Sequence, residues 1–185
     1  MSERKKVRVA IIGVGNCASS LVQGVQYYKD AADDADIPGL MHATVGGYHV
    51  RDIEFSAAFD VVEGKVGKDL SEAIWAEPNN TIKFAEVPHL NVPVSRGMTH
   101  DGLGKYFKTK VKKAPGPTDN IVKILKDTGT DVIVNFMPVG SEMATKWYVE
   151  QALDAGCAFV NGIPVFIASS EYWSKRFAER NLPIV

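Results

Sequence analysis

Apolar positions along this chain follow two alternating rhythms. Val7-Arg8-Val9-Ala10-Ile11-Ile12 is a nearly unbroken β-branched run, the pattern of a strand covered on both faces. Strand one is placed at Lys6 to Ile12. Ala18, Leu21, Val22, Val25 and Tyr28 fall at helical spacing, which predicts a helix over Asn16 to Tyr28. The rhythm lapses over residues 29–52, where Asp30 to Asp36 is acidic and polar and Pro38-Gly39 signals a turn. That stretch reads as an inserted loop with room for a short helix or ribbon.

A second strand runs from Ile53 to Phe59 and ends at Asp60. Val66, Leu70, Ala73 and Ile74 predict a helix covering Val66 to Trp75. Thr81 to Val87 and Leu90 to Val94 read as short strands among Pro78, Pro88 and Pro93. Lysines alternate with Phe107, Thr109 and Val111 between Lys105 and Lys113, which suits a half-exposed strand. Ala114-Pro115-Gly116-Pro117 is a rigid turn, after which Thr118 or Asp119 caps a helix to Thr128. Asp131 to Phe136 is a buried strand, followed by a helix capped by Ser141 and running to Ala155. Ala158 to Asn161 is the next strand, and a helix from Ser170 to Arg180 follows, capped by Ser169 or Ser170. Asn181 to Val185 opens a further strand. Strands alternating with helices predict an α/β fold with a doubly wound parallel sheet of the Rossmann kind. Residues 1–185 are read as one domain, and a chain halting on entry to a strand reads as the front half of something longer.

The first βα junction carries chemistry. Gly13-Val14-Gly15-Asn16-Cys17-Ala18 has the spacing G-x-G-x-x-A after a strand and before a helix, the arrangement that binds a dinucleotide. Gly13 permits the sharp turn, Gly15 lets a pyrophosphate approach the backbone, and Ala18 lets helix and strand pack closely. The free N–H groups of the helix start then face the phosphates. An ordinary tight βα turn is the competing reading. Asp60, at the end of strand two, is placed to take the adenosine ribose hydroxyls. It lies farther from Gly15 than is usual, and the inserted loop accounts for the excess. An acid there favours NAD over NADP.

The chain has 185 residues and a net charge of −1, so no nucleic-acid partner is expected. No apolar run approaches the ~18 residues a membrane span requires. No signal peptide is visible, and two cysteines, Cys17 and Cys157, make no disulfide framework. A reducing cytoplasm is therefore expected. His42, His49, His89 and His100 lack metal-ligand spacing, so no metal site is assigned. Lys65, Lys68 and Lys83 read as solvated positions on a helix or strand face.

Longer words match a family. Gly13-Val14-Gly15-Asn16-Cys17-Ala18-Ser19-Ser20-Leu21, Ala58-Phe59-Asp60-Val61, Lys65-Val66-Gly67, Pro138-Val139-Gly140-Ser141-Glu142 and Phe159 through Ser169 resemble myo-inositol-1-phosphate synthase of the shorter bacterial type. Pro38 to His42, Tyr48 to Asp52 and Asp101 to Tyr106 match it too, so the resemblance spans Val7 to Val185. It implies an isomerase that converts D-glucose 6-phosphate to 1D-myo-inositol 3-phosphate with tightly held NAD. The steps are oxidation at C5, enolisation, intramolecular aldol closure and return of the hydride. It also implies a homo-oligomer, tetrameric in the full-length form through a later α+β domain.

By that resemblance Gly13, Gly15, Asn16 and Cys17 form the pyrophosphate loop and Asp60 is the ribose acid. Asn135, Phe136, Met137 and Pro138 stand at the cofactor end of a central strand, where Asn161 at the next strand end is a further candidate. Gly116 is implied to lie near the cofactor, although some relatives lack the Pro-Gly-Pro turn. The family's catalytic lysines belong to a Gly-Asp-Asp-hydrophobic-Lys-Ser motif beyond Val185 and to the later domain, so no catalytic residue is assigned here. Two other readings stay open: an NAD-dependent dehydrogenase of the homoserine or dihydrodipicolinate type, and a non-catalytic NAD-binding module.

Overall fold

Val7–Ile12 forms β1, the middle strand of a five-stranded sheet. The computed structural model describes residues 6–33, 37–104, 109 and 111–185. After β1 come α1 (Asn16–Tyr28), a two-stranded ribbon of β2 (Thr44–Val45) and β3 (Tyr48–His49), and β4 (Ile53–Asp60). Then follow α2 (Leu70–Ala73), β5 (Val94–Arg96), α3 (Ile121–Asp127), β6 (Val132–Asn135), α4 (Glu142–Ala155), β7 (Ala158–Asn161) and α5 (Glu171–Ala178). Across the sheet the order is β5-β4-β1-β6-β7, and every neighbouring pair is parallel. Strand order reverses at β1, so a crevice opens at the carboxyl ends of β1, β4 and β6. Past β7, Ile184 makes a parallel bridge to Phe159, which puts the 181–185 segment at the next position in the sheet, as its sequence predicts.

Alternation along β1 sends its side chains into two cores. Ala10 and Ile12 face a cluster with Ile121, Leu125, Tyr148, Val149 and Phe177. Val9 and Ile11 face the other side, with Val22, Val25, Leu70 and Ile74. On β4, Phe55 and Ala58 join the second cluster while Ala57 and Phe59 join the first. Strict alternation would not allow that. The register slips between Val9 and Ala10, so Val9 faces Phe55 and Ala10 faces Ala57. The skipped Ser56 is a bulge that re-phases the strand, and its hydroxyl bonds that of Thr130 at 2.8 Å.

Several elements differ from the sequence reading. The inserted 29–52 stretch is not among them, since it contains the short ribbon the sequence left room for, β2–β3 turned at Gly46-Gly47. The helix expected over Val66 to Trp75 is reduced to α2, capped by the Asp69 carboxylate on the Ser71 N–H. Of the strands expected between Thr81 and Val94, only β5 forms, starting at Val94. Side chains satisfy that backbone instead: the Gln23 amide oxygen accepts the N–H groups of Phe84 and Ala85, and Asp69 accepts those of Leu90 and Val92. The cap of α3 is Asn120, not Thr118 or Asp119, with the Lys123 N–H donating to Asn120 Oδ1 at 3.0 Å. Asp119 is drawn away by the Arg96 N–H. The strand expected around the lysines falls mostly on 105–108 and 110, outside the described residues, as do residues 1–5. Thr109 within it is helical and Val111 is buried.

Candidate dinucleotide site

The turn from β1 into α1 is built around a backbone that only glycine adopts readily. Gly13 has φ of +85°, and a Cβ there would lie 2.8 Å from the Phe136 carbonyl oxygen. The turn is thus pressed against the carboxyl end of β6. At Gly15 a Cβ would meet nothing within 4 Å, so this side of the turn is an open cradle. Gly15 is the N-cap of α1 and offers no side-chain cap. The first N–H groups of that helix therefore lack intrahelical partners at the positive end of its dipole.

Beside the turn lies a cavity of about 390 Å³, within the range of small-molecule sites. Of the residues singled out from sequence, Gly13, Gly15, Asn16, Asp60, Phe136, Met137 and Pro138 line it. Cys17, Gly116 and Asn135 do not appear in its wall. Cys17 is exposed on the first turn of α1, and Gly116 is exposed in its turn. Asn135 is fully buried as a strut. Its amide donates to Asn161 Oδ1 at 2.9 Å and to the Thr145 hydroxyl, and its oxygen accepts the Met137 N–H. Asn161 is held by the same bond and by donation to the Ile163 and Val165 carbonyls.

Asp60 works on the protein itself. Its Oδ2 accepts the Val14 N–H at 2.8 Å, and its Oδ1 accepts those of Val61 at 2.7 Å and Val62 at 2.9 Å. The strand-end acid therefore fixes the glycine turn. Each carboxylate oxygen can accept two bonds, so Oδ2 keeps capacity for a hydroxyl. The Asn16 side chain is also committed. It donates to Asn80 Oδ1 at 2.7 Å and accepts from the Asn80 N–H and the Thr81 hydroxyl, each at 2.9 Å.

Lys65 departs from the sequence reading. It is only 2% exposed and lines the cavity. Its Nζ donates to the Val14 carbonyl at 2.6 Å and to Asn79 Oδ1 at 2.7 Å. Burial holds its pKa below the ordinary lysine value, and the Asp60 charge acts in the opposite direction. Lys68 and Lys83 are exposed, as expected. Nothing in Glu63-Gly64-Lys65-Val66-Gly67 signals a buried lysine, because the burial comes from a turn and a distant loop. Thr99, Asp101 and Tyr148 also line the cavity and were not singled out from sequence. Tyr148 accepts the Met98 N–H at 3.1 Å, and burial pushes its hydroxyl well above the usual phenol range.

These features can hold an anionic, hydroxyl-bearing ligand: an open glycine cradle, free helix-start N–H groups, a carboxylate beside them and an apolar wall. No family model matches the chain. It is 56% identical to the inositol-3-phosphate synthase of Mycolicibacterium smegmatis, covering 100% of this chain and 51% of that protein. Identity to the synthase of Mycobacterium tuberculosis is 56%, over 97% of this chain and 49% of that protein. For the synthase of Corynebacterium glutamicum it is 52%, with the same coverages. Among solved structures, Ari2 matches with a TM-score of 0.81 and 31% identity, over 97% of this chain and 53% of that one. A myo-inositol-1-phosphate synthase-related protein from Thermotoga maritima shares the fold, with a TM-score of 0.70, 23% identity and the same coverages. The chain spans about half the length of the curated relatives it matches. Over the stretch it spans, the chain is similar to the inositol-3-phosphate synthases.

Proposed function

We propose that residues 1–185 act as the NAD-binding domain of an inositol-3-phosphate synthase, which isomerises D-glucose 6-phosphate to 1D-myo-inositol 3-phosphate. The observation that carries the reading is the open cradle at Gly15, set at the uncapped start of α1 and at the edge of the cavity. The pyrophosphate would lie against the N–H groups that follow Gly15, as the dipole favours. Asp60 would take an adenosine ribose hydroxyl on Oδ2 while holding Val14 in place. Its charge would also disfavour a 2′-phosphate, which supports NAD over NADP. Phe136, Met137 and Pro138 would line the inner wall. Cys17 would act through its backbone, and Gly116 only if its turn closes over the ligand.

Bound NAD supplies a hydride acceptor and donor, so the sugar is oxidised and re-reduced with no net redox change. This chain's residues bind, orient and shield. Lys65 braces the glycine turn against Asn79, and Asn16 ties the start of α1 to Asn80 and Thr81. We assign no proton transfer to any of them. A homo-oligomer, a tetramer at the relatives' length, and a cytoplasmic location belong to the same proposal. The two free cysteines are in keeping with a reducing compartment, and among the described residues no helix is long and apolar enough to cross a membrane.

Calorimetric titration of the chain with NAD should give saturable binding at one site. A polypeptide of the relatives' length containing this chain should convert glucose 6-phosphate to inositol phosphate without accumulating NADH. Steady NADH formation would point to the dehydrogenase reading, and absence of NAD binding would overturn the proposal.

A further inference from the structure

The loop after β5 crosses the cavity and is pinned on both sides. On one side the Met98 N–H donates to the buried Tyr148 hydroxyl at 3.1 Å. On the other, the Asp101 carboxylate accepts the N–H groups of Met143 at 2.8 Å and Ala144 at 3.0 Å. Asp101 thereby caps α4 from outside the helix, in place of Ser141, whose hydroxyl turns back to the Pro138 carbonyl. Thr99 sits between these pins and lines the same cavity as Gly15 and Asp60. Among the described residues its Oγ1 is the one buried side-chain nitrogen or oxygen with no hydrogen-bond partner.

A buried hydroxyl without a partner is unfavourable, and native structures rarely leave one without a reason. The pins hold the loop on either side of Thr99, and neither supplies its hydroxyl with a partner. What the rest of the site binds would supply the partner.

We propose that the Thr99 hydroxyl is a ligand contact, hydrogen-bonding the ribose–phosphate portion of the dinucleotide held on the glycine turn. It donates to a phosphate oxygen or accepts from a ribose hydroxyl, and either bond satisfies it. The proposal rests on the NAD reading above and adds to it a binding residue from the loop after β5.

Thr99→Val keeps the shape of the side chain and deletes the oxygen. Because the hydroxyl has no partner within the protein, the ligand-free variant should melt at the same temperature as the native chain or slightly higher. Its affinity for NAD should fall roughly tenfold, the equivalent of one hydrogen bond. ADP-ribose, which lacks nicotinamide, should show the same loss, and Thr99→Ser should restore binding. Should the valine variant misfold, Thr99→Ala removes the same oxygen and carries the same comparison. An NAD affinity within about twofold of native for the variant lacking the oxygen overturns the contact and leaves the NAD reading standing. A loss seen with NAD but not with ADP-ribose overturns the assignment to the ribose–phosphate portion. A native chain that binds neither ligand overturns both readings together.

Discussion

Gly13 and Gly15 occupy one turn yet meet opposite physical demands. Gly13 combines φ of +85° with the Phe136 carbonyl 2.8 Å from any Cβ. Gly13→Ala should therefore destabilise the chain by about 2–3 kcal/mol, from backbone strain and displacement of β6. Gly15 has φ of −93° and open space around it. Gly15→Val should leave the urea midpoint nearly unchanged while abolishing NAD binding, because the branched side chain fills the cradle. Chemical denaturation and calorimetry on the two variants separate the roles, and a stability loss at Gly15 equal to that at Gly13 would remove the cradle from the argument. At this scale the sequence is uneven. It distinguishes the glycines because their spacing has one mechanical explanation. It is silent on Lys65 and Thr99, whose placement depends on loops that carry no periodic pattern. For Asp60 it points to the right position but not to the work found there, since no pattern reveals that the carboxylate holds Val14, Val61 and Val62.

Elements were legible where burial imposes a period and illegible where side chains replace the ladder. Strands β1, β4, β6 and β7 and helices α1 and α4 lie where the apolar rhythm puts them, within a residue or two. Between α2 and β5 the chain is held by Asp69, Gln23 and Asn79, and a side chain reaching across tens of residues leaves no local trace. Asp69 is the clearest case. Burial alone would raise its pKa. The Ser71 hydroxyl and the N–H groups of Leu90, Ser71 and Val92 outweigh that and hold the carboxyl below its ordinary value. A carboxylate with a depressed native pKa contributes stability that is fully present above the unfolded value of about 3.9 and is lost as pH falls through the native value. Urea midpoints of the native chain should therefore fall through the acid range below about pH 5, and Asp69→Asn should flatten part of that limb. At neutral pH, Asp69→Ala should cost about 2–3 kcal/mol, because buried N–H groups lose their acceptor. A neutral-pH midpoint unchanged in the alanine variant would show that water serves the loop equally well.

Over the whole molecule, the proposed dinucleotide site sits where both cores and the strand-order reversal meet. Gly13 touches the end of β6, Asp60 ends β4, and the loop after β5 reaches α4. A ligand at that junction contacts segments from both wings of the sheet, so opening either wing must release it. Binding should therefore stabilise the fold as one unit rather than protect a single loop. At NAD concentrations of 100 Kd, linkage adds about 2.7 kcal/mol. For a domain of this size that corresponds to a rise in Tm of about 5–10 °C. Hydrogen exchange should show the added protection on β4 and β6 together, on opposite sides of β1. A rise in Tm accompanied by protection confined to α1 would mean that the ligand rests on the glycine turn alone and that the loop after β5, Thr99 included, does not close on it.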